Sequence, residues 1–355
     1  MARIIVVFAL LFLGCEFEPG SDAEMGFGGP LAPADHDAGA TIPLTDLGPQ
    51  LYLDQFQGGL YENGLNEPPA DHALRILAAL QNVAPINGRI VLVSVGMSNT
   101  SHGFCCEVGI TPNAWTFMGQ AATDPTVNHE TLVIVNGARA QQVAKDWDEP
   151  TDAQYDTLRY RLEATRLSES DVQVVWVKLT NDRPNISLPG GSLTKPKLMA
   201  DAYRLEHNLG MVARAMRARW PNLRIVYLSS RTYGGYASSP VSPEPYAYET
   251  GFSVKWVIQA QIEQARTGFV DDLAGDLSPA VSPVLLWGPY LWADGAIPRR
   301  DGLSWPREDY ESDGLHPSTS GETKVGALLL EYFKLSPFAH CWFLAHSSLG
   351  GGACP

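Results

Sequence analysis

Near the end of the chain the sequence reads Asp313-Gly314-Leu315-His316-Pro317-Ser318. A carboxylate and an imidazole three residues apart can share one turn. Such a carboxylate fixes the ring tautomer and stabilises the imidazolium that forms when the ring takes a proton. The group that would surrender that proton is a hydroxyl, and Ser98 offers one in Gly96-Met97-Ser98-Asn99-Thr100, directly after an apolar run. Glycine followed by serine at a strand end sets the hydroxyl on a tight turn with backbone N–H groups beside it. Two more polar blocks follow apolar runs, Asn136-Gly137-Ala138-Arg139 and Leu179-Thr180-Asn181-Asp182. Gly137 could present its N–H, and Asn181 its amide, to a developing oxyanion. Alone, each block has an ordinary reading: a serine that caps a helix, a glycine or asparagine turn, a surface loop before a helix capped near Ser318. Their recurrence at successive strand ends is what points to nucleophilic acyl chemistry.

The elements that would position these residues are legible. Arg89 to Val95, Thr131 to Val135, Val172 to Lys178, Leu223 to Leu228 and Pro283 to Trp287 are short, β-branched runs bounded by turn residues. Helical patterns cover Ala73 to Asn82, Lys197 to Trp220 before Pro221, Ser253 to Thr267 and Thr319 to Phe333. Near-continuous apolar strands alternating with helices predict a three-layer α/β/α sandwich with a five-stranded, mainly parallel sheet. Ligands of such sheets bind beyond the carboxyl ends of the strands, where all four blocks fall. The Pro-, Ser- and aromatic-rich stretch 233–250 reads as a long loop overhanging that edge.

In these blocks and their order the chain resembles the SGNH hydrolases, or GDSL esterases and lipases. The resemblance covers roughly residues 89–335 and rests on Ser98, Gly137, Asn181 and the Asp313/His316 pair. Met97 departs from the Asp of G-D-S, and Leu179 from the Gly of G-x-N-D. The resemblance implies the flavodoxin-like SGNH hydrolase fold and hydrolysis of carboxylic esters through an acyl-enzyme. It makes Ser98 the nucleophile, His316 the base and Asp313 its partner, with the N–H groups of Ser98 and Gly137 and the Asn181 amide as oxyanion hole. The family includes carbohydrate O-acetyl esterases, arylesterases and lipases. The aromatics Tyr233, Tyr236, Trp287, Tyr290 and Trp292 tilt the expectation toward O-acetyl esters of carbohydrates, although burial is the usual fate of such rings. Met97 and Leu179 favour the alternative, a catalytically silent cell-surface binding protein of the same fold. No cofactor is implied, and no metal: neither H-E-x-x-H nor a P-loop occurs.

Composition narrows the class further. Of 355 residues 45% are hydrophobic, enough for a sizeable core, and 39 acidic against 25 basic side chains give a net charge of −14. Without a basic run to neutralise phosphates, nucleic acid is not an expected partner. The start, Met1-Ala2-Arg3 and an apolar run from Ile4 to Leu13, has the pattern of a secretory signal and is too short for the roughly 20 residues of a spanning helix. Gly14-Cys15 resembles a lipoprotein cleavage site, which would attach the chain to a membrane through lipidated Cys15. The expected organisation is a signal peptide over 1–15, a flexible linker over 16–45, the hydrolase domain over 46–336 and a tail over 337–355, in a secreted or envelope-anchored protein. Asp35-His36-Asp37 reads as solvated loop, and so does His102. Export permits disulfides among Cys105, Cys106, Cys341 and Cys354, with the pairing open, although adjacent cysteines bridge only with strain.

Overall fold

Five runs rich in Val, Ile and Leu become the parallel strands of one sheet in the computed structural model, which describes residues 41–107, 109–191 and 199–345. The described residues fall within one compact unit, His36–Pro355. Two short strands, β1 (Leu51–Tyr52) and β2 (Phe56–Gln57), pair as a separate antiparallel hairpin. The main sheet comprises β3 (Ile90–Gly96), β4 (Leu132–Asn136), β5 (Val172–Lys178), β6 (Ile225–Leu228) and β7 (Val284–Trp287). Their spatial order is β4-β3-β5-β6-β7, and every pairing is parallel. This is the doubly wound, flavodoxin-like order, whose crevice opens where the connections diverge, beyond the carboxyl ends of β3 and β5. Ser98 lies two residues past the end of β3.

Alternate residues of each strand enter opposite layers, so each face gets its own core. Val91, Val93, Val95, Val175 and Val177 pack with buried side chains of α5 (Ala153–Ala164), α6 (Asp201–Arg219) and α7 (Tyr246–Thr267). Leu92, Val174, Trp176 and Tyr227 pack with those of α2 (Ala70–Leu80), α3 (Ser98–Phe104), α4 (Phe117–Thr123) and α8 (Thr319–Leu335). All seven residues of β5 are buried, as a central strand covered on both faces requires.

The expected boundaries shift in several places. The stretch read as loop over 233–250 gives its last five residues to α7, which begins at Tyr246, earlier than Ser253. The folded body reaches back into the expected linker: Leu44 opens the short helix α1 (Leu44–Leu47), is fully buried, and its N–H donates to the Tyr290 hydroxyl. It also reaches into the expected tail, where α9 (His340–Phe343) buries Trp342 and Phe343 against Phe333. Both segments carry apolar side chains that composition alone assigns to solvent. The signal-peptide pattern, Cys15, the Asp35-His36-Asp37 cluster and Cys354 lie outside the described residues. Cys105 and Cys106 are free thiols with Sγ atoms 2.7 Å apart, and Cys341 is disulfide-bonded. No helix among the described residues is long and apolar enough to cross a membrane.

Candidate active site

The turn that carries Ser98 is built from below. Helix α3 starts at Ser98, and the Met97 carbonyl accepts the N–H groups of Thr100 and Ser101, both at 3.0 Å. At a helix start the first N–H groups have no intrahelical acceptor, which leaves those of Ser98 and Asn99 available to an anion. Two side chains tie this turn to the sheet. The Thr100 hydroxyl donates to the Lys178 carbonyl at 2.7 Å, and Lys178 Nζ donates to the Asn99 carbonyl at 3.0 Å. Burial, with the neighbouring Arg231 cation, holds the Lys178 ammonium far below its usual range. Arg231, itself buried, lies 3.7 Å from Met97 Sδ, and burial brings it down to about 10 against the opposing pull of Tyr310 and Glu244.

The second half of the site is the turn before α8. Asp313 Oδ1 accepts the N–H groups of Leu315 at 2.9 Å and of His316 at 3.0 Å. Gly314 has φ of +67°, and a Cβ there would lie 1.8 Å from the Tyr236 carbonyl, so conformation and space both require glycine. Arg307 braces the turn by donating to the carbonyls of Tyr310, Glu311 and Ser312. The loop expected to overhang the site touches it: Ser238 donates N–H to the Asp313 carbonyl at 3.0 Å.

The two halves meet in one hydrogen-bonded line. Ser98 Oγ donates to His316 Nε2 at 2.8 Å, and His316 Nδ1 donates to Asp313 Oδ2 at 2.6 Å. Burial pushes the Asp313 carboxyl up, but the bonds from the His316 ring and from the N–H groups of Leu315 and His316 outweigh it and hold it below the usual carboxylate range. With Asp313 ionised it can only accept, so the ring proton sits on Nδ1 and Nε2 is left to take the serine proton. The side chains of His316 and Asp313 are 30% and 42% exposed, so the line opens to solvent.

The other expected oxyanion donors are engaged elsewhere. The Gly137 N–H donates to Ser94 Oγ at 3.1 Å. A Cβ on Gly137 would lie 2.3 Å from the Ser94 carbonyl, so glycine permits close approach to β3 at this point. Asn181 Nδ2 donates to the Asp201 carbonyl at 2.8 Å, and its Oδ1 accepts from Asn208 at 3.0 Å. An amide nitrogen carries two hydrogens, so one Asn181 N–H remains, whereas Gly137 has its single N–H committed.

His102 is not solvated. It is buried, its ring stacks on that of His316 with centroids 5.1 Å apart, and its Nδ1 meets Glu322 Oε1 at 3.2 Å. The signal was available: four residues after Ser98 on one helix puts His102 on the same face as Ser98. Reading the segment as a turn concealed it. Of the singled-out aromatics, Trp287, Tyr290 and Trp292 are core, whereas Tyr233 and Tyr236 are partly exposed beside the Asp313 turn. No group of three His, Cys, Asp or Glu side chains among the described residues could hold a metal ion.

No protein-family model matches the sequence, and no curated protein does. Among solved structures the chain is similar to a protein from Arabidopsis thaliana, at 12% identity, covering 70% of this chain and 97% of that one with a TM-score of 0.39. It is similar also to an extracellular lipase from Streptomyces rimosus, at 13% identity, 68% and 99% coverage and a TM-score of 0.35. A third is a psychrotrophic esterase from a Pseudoalteromonas species, at 11% identity, 69% and 96% coverage and a TM-score of 0.35.

Proposed function

We propose that this chain is a serine ester hydrolase of the SGNH type, with Ser98, His316 and Asp313 as its catalytic triad. The observation that carries the reading is the continuous line from Asp313 through His316 to Ser98, with both bonds at 2.8 Å or less. His316 Nε2 takes the Ser98 proton as Oγ attacks the ester carbonyl, and returns it to the departing alcohol. Water, activated by the same ring, then attacks the acyl-enzyme and releases the carboxylic acid. The tetrahedral oxyanion is held by the Ser98 N–H at the start of α3 and by the remaining Asn181 N–H, and Gly137 joins them if its N–H turns from Ser94.

The exposed triad and the paired Tyr233 and Tyr236 rings, 5.0 Å apart at its rim, suit a small acyl group on a bulky alcohol, and an O-acetylated carbohydrate is the preferred substrate. The charge of −14 goes with a partner other than nucleic acid. Export, with attachment through lipidated Cys15, is the location we assign to this activity.

The test is hydrolysis of p-nitrophenyl acetate and of longer acyl esters by the purified protein and by Ser98→Ala. The substitution should lower kcat by about 10⁴- to 10⁶-fold. The second reading, a silent surface-binding protein, is favoured by the engaged Gly137 N–H. It is adopted if the wild type is inactive or if Ser98→Ala retains its rate.

A further inference from the structure

The sheet has a second edge, opposite to Ser98, and a cavity of about 530 Å³ opens there among α2, α6, α7 and the turns that enter β6 and β7. Small-molecule sites run from roughly 300 to 1,000 Å³. Its apolar wall includes Leu223, Leu277 and Val284, and its polar wall is formed by His72, Arg75, Arg217 and Arg224.

The polar wall is incomplete. In a chain with fourteen excess negative charges, none of these three arginines has a carboxylate partner among the described residues. Arg75 donates to the Ala265 carbonyl, Arg217 to the Pro221 carbonyl and Arg224 to Asn222 Oδ1. Nearby Arg219 and Arg266, by contrast, each bind two carboxylates. The Nε of Arg224 is buried with no acceptor. His72 is 1% exposed, and its Nε2 lies 2.8 Å from the Leu285 carbonyl, which can only accept. Nε2 therefore carries the proton. Burial first, and the nearby Arg75 cation after it, favour the neutral ring, so Nδ1 is a bare acceptor, and it too has no partner. Both atoms lie behind the surface of the cavity and are closed to a ligand, so what this wall offers one is the guanidinium groups of Arg75, Arg217 and Arg224.

We propose that this cavity is a second ligand site, separate from the triad, for an amphipathic carboxylic acid. Its carboxylate accepts from Arg217 and Arg224, and its chain lies along Leu223, Leu277 and Val284. Guanidinium–carboxylate bonds of this kind are among the stronger hydrogen bonds a protein makes.

Isothermal titration of the full chain with decanoate and with decanol tests the proposal. Decanoate should bind one per chain, several-fold more tightly than decanol, and equally to wild type and Ser98→Ala. Arg217→Gln with Arg224→Gln should weaken it at least tenfold. Ala79→Phe, which fills the cavity from its rim and leaves the polar wall intact, should abolish binding even if the arginine variant does not fold. Absence of saturable binding overturns the proposal. So does binding lost with Ser98→Ala, binding unchanged in the arginine or Ala79 variants, or equal affinity for decanoate and decanol.

Discussion

Asp313 does two jobs with two oxygens: Oδ1 closes its own turn and Oδ2 orients the ring. Asp313→Asn keeps the volume but can present N–H where only an acceptor works, so the ring adopts the other tautomer and Nε2 no longer accepts the serine proton. The expected result is a fall of about 10⁴-fold in kcat for p-nitrophenyl acetate with the fold intact by circular dichroism. Asn181 is a different case, because one of its N–H groups holds the start of α6 and, in the proposed mechanism, the other serves the oxyanion. Asn181→Ala should lower kcat roughly a hundredfold or more while KM changes little. An unchanged kcat with a lower Tm would reduce it to a brace for α6. The Ser98–His316–Asp313 line was legible because Asp-x-x-His is a local pattern and Ser98 follows a strand, as the other blocks do. The Lys178 and Arg231 side chains under the Ser98 turn were not, since their proximity comes from strand packing that spacing does not encode.

Between elements, a buried polar chain sets how β3, β4 and α3 sit together. Ser94 Oγ on β3 donates to Asn136 Oδ1 at 2.8 Å and accepts the Gly137 N–H, and Asn136 Nδ2 donates to Ser101 Oγ on α3 at 2.7 Å. Asn136→Ala leaves two buried hydroxyls short of a partner and should cost about 2 kcal/mol or more in urea denaturation, with a smaller loss of activity as α3 shifts. A change under about 0.5 kcal/mol would mean that water replaces the amide. This chain also explains which elements the sequence disclosed. The five strands and α6, α7 and α8 announce themselves by apolar runs or periodicity. Helix α3, Ser98 to Phe104, has almost no apolar residue, yet every position after Ser98 is buried, because polar bonds and Gly103 against Val325 hold it in place. Hydrophobic patterning detects burial only where burial is apolar.

For the molecule as a whole, excess acid is also carried inward. Glu206 on α6 is 5% exposed, and burial, helped by the charge of Asp271, raises its carboxyl to about 8. Glu249 on α7 is 1% exposed, and burial raises it to about 8 against the N–H of Leu188 and the Tyr52 hydroxyl, which pull the other way. In the unfolded chain both lose their protons near pH 4.3. Between that value and about 8 the folded protein therefore binds more protons than the unfolded one, and stability must fall as pH rises across this window. Two buried groups acting over several pH steps can cost on the order of several kcal/mol. Lys178, held far below its usual range by burial, acts with the opposite sign and offsets part of this loss. Lys255, lowered by burial to about 8, does so only above that pH, and His72, held neutral by burial, costs stability only below about 6.5. Urea midpoints should thus decline from pH 6.5 to pH 8. In Glu206→Gln, which has no proton to lose, the decline should be shallower and the variant should overtake the wild type toward pH 8. Parallel curves for the two proteins would mean that Glu206 is already ionised in the fold, with its charge met by solvent at the edge of α6.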